Sequence, residues 1–363
     1  MDLKYTYGYG TGGTTDGTKI RTRTDNATKL TTTYSYDSQE RLSYAKEADA
    51  AGVRKASWLY CFDKAGNLTH QDGAAATCPA TPTYTYNDAS QLTAKSGSMT
   101  GWSYDKAGNE TAAASGTART GETWGDYSQL TSITTGTTTS DLVHAGTTND
   151  ERTKLGGTWF HTTALGLTGT TTDAADTGFI REPAGTLNSM RTGDKSCFYL
   201  TDATGNVLGL VDEAGKRTHT YAYGPTGQAR TTPTETTPQP YRYAGAYADQ
   251  TGLYKMGARY YDPALGRFTQ PDPSGQETNP YLYAKGDPVN QVDPSGLWSW
   301  GDLLKVTGGA VLTGAASGCA SGAVATIWTG PGALAGCGAG AATGATAGLV
   351  GGAGGYAWTQ IPW

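Results

Sequence analysis

A nine-residue pattern recurs along this chain and constrains the fold more than any other feature. It reads aromatic, any residue, aromatic, Asp or Asn, two residues, Gly or Ser, Asn or Gln, apolar. Tyr60-Cys61-Phe62-Asp63-Lys64-Ala65-Gly66-Asn67-Leu68 fits it in full. Tyr84-Thr85-Tyr86-Asn87 leads to Ser90-Gln91-Leu92, and Trp102-Ser103-Tyr104-Asp105 leads to Gly108-Asn109-Glu110. Tyr34-Ser35-Tyr36-Asp37 is a looser copy, as are Phe198-Tyr199-Leu200 running into Asp202–Val207 and Tyr221-Ala222-Tyr223-Gly224. Side chains alternate along a strand, so the paired aromatics share one face. Asp-x-x-Gly then makes a tight turn, and a second strand begins at the apolar residue. Each copy is a hairpin with one aromatic face. A lone hairpin is marginal in water, so neighbouring copies must stack. The alternative, an ordinary β-sandwich with Tyr-rich hairpins, has to explain six copies of one pattern.

Composition supports strands and turns. The 363 residues include 52 Gly and 15 Pro, and 23 Tyr against 5 Phe. A phenol can sit at the water boundary while its ring packs, which favours Tyr in a layer wetted on both sides. Gly shows no period of three, which excludes collagen. Residues 1–297 lack the long Leu, Ala, Glu and Lys runs of a helical bundle. The net charge of −5 argues against a nucleic-acid partner. The stretch 111–196 is less regular and reads as degenerate copies of the same sheet. Pro233–Pro240 reads as an exposed loop.

The first 20 residues hold no apolar run of signal-peptide length. Tyr5-Thr6-Tyr7-Gly8 already resembles the middle of a repeat, which points to a fragment or to a folding unit that starts before Met1. Cys61, Cys78, Cys197, Cys319 and Cys337 form no CxxC, and His70, His144, His161 and His219 fall on no ligand spacing. No metal or cofactor is expected. Cys61 and Cys78 are either a bridge or two buried thiols.

The repeat resembles the YD repeat of the Rhs (rearrangement hot spot) family, which includes bacterial polymorphic toxins, the C component of Tc toxin complexes and the animal teneurins. Tyr241-Arg242-Tyr243-Ala244-Gly245, Gly257-Ala258-Arg259-Tyr260-Tyr261-Asp262-Pro263, Gly266-Arg267-Phe268, Pro271-Asp272-Pro273, Asn279-Pro280-Tyr281-Leu282-Tyr283 and Asp293-Pro294-Ser295-Gly296-Leu297 resemble the Rhs-associated core. The resemblance implies a mainly β fold in which YD hairpins form part of a spiralling β-sheet shell. It divides the chain into a shell segment (1–240), a core (241–297) that plugs the shell, and a variable C-terminal segment (298–363).

It also implies that the core is an aspartyl peptidase acting in cis, the only enzymatic activity expected. The cut would fall between Leu297 and Trp298. The catalytic role passes to Asp272 and Asp293, and a supporting role to Arg259. Two carboxylates against one peptide bond cannot both ionise; the ionised one can activate water while the other polarises the carbonyl. The plainer readings are that both Asp-Pro-Ser-Gly sequences only make turns, and that Arg259 pairs with Asp262.

From Val306 to Trp363 no side chain is charged, and Gly recurs at 314, 318 and 322 and at 332, 336, 340, 344, 348 and 352. Gly at every fourth position lets two helices approach closely. Each half is long enough to span a bilayer. We read a Gly/Ala-rich, glycine-zipper α-helical hairpin, with Cys319 and Cys337 on opposite arms. Three roles compete: a membrane-active tip, a translocation hairpin, and an inert stub inside the shell. The expected protein is secreted or at the cell surface. Its expected partners are its own C-terminal segment, an immunity protein, and a target membrane or cell-wall carbohydrate. The competing readings are a structural, carbohydrate-binding surface protein and a non-functional Rhs remnant.

Overall fold

A computed structural model describes residues 2–8, 19–73, 75–115, 118–147, 149–182 and 185–297. The expected helical hairpin, its glycine zipper, Cys319, Cys337 and Trp298 lie outside the described residues. The chain divides into two compact units, Met1–Ile180 with Asn188–Ser299, and Arg181–Leu187 with Trp300–Trp363. In the smaller unit the Glu182 amide donates to the Thr186 carbonyl at 2.9 Å.

The described residues are mainly β, with antiparallel sheets whose neighbours in space are neighbours in sequence. The first sheet has six strands: Leu3–Gly8, Lys19–Asp25, Leu30–Tyr36, Leu42–Ala48, Arg54–Phe62 and Leu68–Asp72. Two short ladders follow, Tyr84–Tyr86 with Leu92–Lys95 and Ser103–Tyr104 with Glu110–Ala112. An eleven-stranded sheet runs from Thr123–Trp124 to Arg217–Thr220 and takes in the Thr-rich stretch read as degenerate copies. A four-stranded sheet comprises Tyr247–Ala248, Tyr254–Met256, Arg259–Asp262 and Arg267–Phe268. Single 3-10 turns at Tyr243–Gly245 and Ala284–Gly286 are the only helical elements among the described residues. None of these is long and apolar enough to cross a membrane.

The repeat turn has one physical design. The Asp105 carboxylate accepts the amides of Ala107 and Asn109, both at 2.9 Å, and the Asn109 side chain donates back to it at 2.9 Å. Asp37, Asn87 and Asp202 do the same for the amides two and four residues on. The residue before the last is left-handed, at φ 81° for Gly66 and 89° for Gly108. That requirement explains the glycine in the motif.

The tyrosines correct one expectation. The hydroxyls of Tyr36, Tyr86, Tyr104 and Tyr223, the second aromatic of their copies, do not seek the water boundary; they bond to backbone earlier in the chain. Tyr86 donates to the Leu68 carbonyl at 2.8 Å, Tyr223 to Val207 at 2.8 Å and Tyr36 to Ile20 at 2.6 Å. Tyr104 instead accepts the Leu92 amide at 3.0 Å. Leu68, Leu92 and Val207 each open the second strand of the preceding copy. A buried carbonyl needs a partner, and phenylalanine offers none. At Phe62, which has no hydroxyl, the Arg41 guanidinium lies over the ring at 4.5 Å.

Cys61 and Cys78 form a disulfide, while Cys197 is a buried free thiol. Most of Pro233–Pro240 is exposed, as expected of a loop; Thr237 and Gln239 are buried.

Candidate active site

Residues 241–297 sit on the repeat turns through side chains that seek turn carbonyls. Asn279 donates to the Ala65 carbonyl at 3.2 Å and to the Asn67 side chain at 2.7 Å. Arg267 donates to the Ser90 carbonyl at 2.8 Å, and Tyr281 to the Gly108 carbonyl at 2.6 Å. Beneath them Tyr243, Tyr254, Met256, Tyr261, Phe268 and Tyr283 form an aromatic core. Tyr261 and Tyr283 have ring centroids 4.7 Å apart. Rings at such separations add about 0.5–1.5 kcal/mol per pair beyond their buried area.

This scaffold brings four of the five sequence-derived residues together. Arg259 starts a strand of the four-stranded sheet and is fully buried, as is Asp293. Its Nη2 donates to Asp293 Oδ2 at 2.9 Å, and its Nε donates to the Gly296 carbonyl. Its Cζ lies 3.6 Å from the Phe268 ring centroid. Burial pulls the guanidinium below its ordinary pKa, and the carboxylates of Asp293 and Asp272 push it back up. Arg259 therefore lies in the field of both acids. One carbonyl pins both halves of the site, because Pro280 O accepts the Asp272 amide at 2.8 Å and Arg259 Nη1 at 3.1 Å.

The alternative Arg259–Asp262 pair does not form. Three positions apart on one strand, the two side chains leave opposite faces. Asp262 instead meets Arg119 at 2.9 Å and accepts the Ser115 hydroxyl at 2.6 Å. Arg119 also meets Glu110 at 2.5 Å and Glu122 at 3.3 Å. Burial pushes the Glu122 carboxyl up to about 9, with the Glu110 charge next in effect. The sequence reading missed this buried cluster, since nothing in its spacing links residues 110, 119, 122 and 262.

Both Asp-Pro-Ser-Gly segments are turns, and both close on Leu297. Asp293 Oδ1 accepts the Leu297 amide at 3.3 Å and the Ser295 hydroxyl at 3.2 Å. Asp272 accepts the Ser274 amide at 2.9 Å, in the manner of the repeat turns. Ser274, a residue the sequence reading passed over, joins the second acid to Leu297. Its hydroxyl lies 2.7 Å from Asp272 Oδ2 and 2.8 Å from the Leu297 carbonyl oxygen. The amide of Leu297 thus faces one acid, and its carbonyl faces the other through a single hydroxyl. The geometry is compatible with acid–base chemistry at that carbonyl. Among the described residues no cluster of His, Cys, Asp or Glu could hold a metal ion.

Residues 171–287 match the family model described as Teneurin YD-shell. A 126-residue stretch is 38% identical to a tRNA3(Ser)-specific nuclease WapA of Bacillus spizizenii, covering 32% of this chain and 5% of that protein. A 149-residue stretch is 38% identical to salivary gland surface protein 1 of Aedes aegypti, covering 40% and 4%. A third, of 131 residues, is 37% identical to double-stranded DNA deaminase toxin A of Burkholderia cenocepacia, covering 34% and 9%. The chain therefore matches less than a tenth of the length of each of these relatives. Over residues 171–287 the chain is similar to the teneurin YD-shell family, and its partial matches to the two bacterial proteins support a relation to the Rhs/YD-repeat family.

Proposed function

We propose that this chain is part of a toxin-type Rhs shell, secreted or surface-displayed, whose core (241–297) cuts its own backbone after Leu297 and frees the segment 298–363. The relatives matched by part of this chain are named as a tRNA nuclease, a surface protein and a DNA deaminase toxin. Partial likeness to proteins of such different names suits a carrier better than a single chemistry.

One observation carries the reading: Leu297 is clasped on its amide by Asp293 and on its carbonyl by Ser274, which rests on Asp272. Arg259 keeps Asp293 ionised through a charge-assisted bond, so that Asp293 takes the proton of an attacking water. Asp272 supplies the proton that polarises the carbonyl. The freed segment, uncharged from Val306 onward and rich in Gly at every fourth place, acts on membranes. An immunity protein would hold it in check in the producing cell.

Intact mass of the full chain tests the cut. The wild type should lose the mass of residues 298–363, and Asp293→Asn should not. One uncut species for both would end the proposal. Dye release from liposomes tests the membrane step, the comparison being a chain that ends at Leu297. A second reading, an adhesive surface protein, draws on the exposed side chains of Tyr127, Trp159 and Phe198. An uncut chain that binds wall polysaccharide would select it.

A further inference from the structure

The Ser274 hydroxyl stands between two oxygens, Asp272 Oδ2 at 2.7 Å and the Leu297 carbonyl oxygen at 2.8 Å. A serine has one hydroxyl proton to give. The serine can therefore serve both oxygens in turn, taking a proton on one side and giving one on the other. With a proton on Asp272, the three groups form one directed chain: Asp272 donates to Ser274, and Ser274 donates to Leu297.

We propose that Ser274 is a catalytic residue of the self-cleavage, relaying a proton from Asp272 to the carbonyl oxygen of Leu297. This rests on the peptidase reading given above. Water adds to the Leu297 carbonyl carbon and gives a proton to the Asp293 carboxylate. In the same step the Ser274 proton passes to the carbonyl oxygen, and the Asp272 proton passes to Ser274, which ends as it began. The resulting diol then collapses. The bond to the Trp298 nitrogen breaks, that nitrogen takes the proton held by Asp293, and the diol returns a proton through Ser274 to Asp272. One water is consumed, and a Leu297 carboxyl and a Trp298 amine are formed.

The relay separates the roles of the two turns. Asp293 reaches Leu297 directly through the amide, whereas Asp272 acts on it at one remove. Asp272 is also anchored by the amides of Ser274, Gln276 and Glu277 at 2.9, 3.2 and 3.3 Å. These amides fix the position of the Asp272 carboxyl, and the Ser274 hydroxyl supplies the reach to Leu297.

Cell-free synthesis of the full chain, sampled over time and read by intact mass, tests the relay. Ser274→Ala should slow cleavage about 100-fold, the lower end of what a positioned acid contributes. Ser274→Thr, which keeps the hydroxyl, should stay within about threefold of the wild type on the same argument. Thermal melting of the uncut Ser274→Ala chain checks that it folds. Rates in mixtures of light and heavy water should follow a multi-proton curve for the wild type and lose one proton's contribution in Ser274→Ala. If Ser274→Ala cuts as fast as the wild type while Asp293→Asn stays intact, the relay is wrong and the peptidase stands. Equal slowing of Ser274→Ala and Ser274→Thr also overturns it. If the wild type itself is never cut, relay and peptidase fall together.

Discussion

Gly257 meets Ser295 backbone to backbone, so that a Cβ on Gly257 would overlap the Ser295 carbonyl. The next amide along, that of Ala258, donates to this carbonyl at 2.8 Å. Gly257 has φ 48° and Gly296, facing it, has φ 65°. The turn that presents Asp293 is thus docked on the hairpin that presents Arg259.

Gly257→Ala should therefore undock the Asp293 turn. Left-handed backbone costs a non-glycine residue about 1–2 kcal/mol, and overpacking adds about 1–3 kcal/mol. We expect a urea midpoint lowered accordingly and no cut chain by intact mass. An alanine variant as stable and as fully cut as the wild type would refute the docking.

Arg259→Lys should cost cleavage more than stability. The guanidinium serves Asp293, Gly296 and Pro280 at once while covering the Phe268 ring. An ammonium cannot reproduce that planar fork. A cleavage rate at least ten times slower, read by mass, is the expected result.

Tyr86→Phe should strip the Leu68 carbonyl of its phenol donor. Leaving a part-buried acceptor unpaired costs about 1–3 kcal/mol. The change should appear in the denaturation midpoint. Phe62→Leu, at a position with no phenol bond to lose, separates ring packing from the hydroxyl.

The Glu110–Arg119–Glu122–Asp262 cluster should make stability fall as pH rises. The folded Glu122 carboxyl is pushed up to about 9 from its ordinary 4.5, so the folded chain holds a proton that the unfolded chain has released. That stabilising contribution is complete below pH 4.5 and is lost progressively as pH climbs toward 9. The slope for one proton is about 1.4 kcal/mol per pH unit at most. Urea midpoints at several pH values in this window should show the decline, and Glu122→Gln should flatten it.

Reduction of the Cys61–Cys78 bridge should destabilise the first sheet. The bridge spans 17 residues, and a loop of that size is worth about 3 kcal/mol on the chain-entropy model. Denaturation with and without reductant measures it; equal midpoints would show the bridge to be idle.

The repeats were legible because a two-residue alternation followed by Asp-x-x-Gly leaves the backbone few choices. Asp272, Asp293 and Leu297 were legible because whole motifs surround them. Ser274 was not, since its meaning lies in a contact with a residue 23 positions away. The choice between Asp262 and Asp293 as the partner of Arg259 stayed open in the sequence, although strand alternation already disfavoured the nearer acid. The abundance of tyrosine over phenylalanine was visible, but not its cause. A phenol aimed at water and one aimed at a neighbouring carbonyl leave the same letter.

The phenol bonds of Tyr36, Tyr86 and Tyr223 reach back 16, 18 and 16 residues along the chain. Each of these three bonds has an acceptor that has already left the ribosome when its tyrosine emerges. Order along the chain thus becomes order of assembly for these three links, whatever the later partners of the same hairpins.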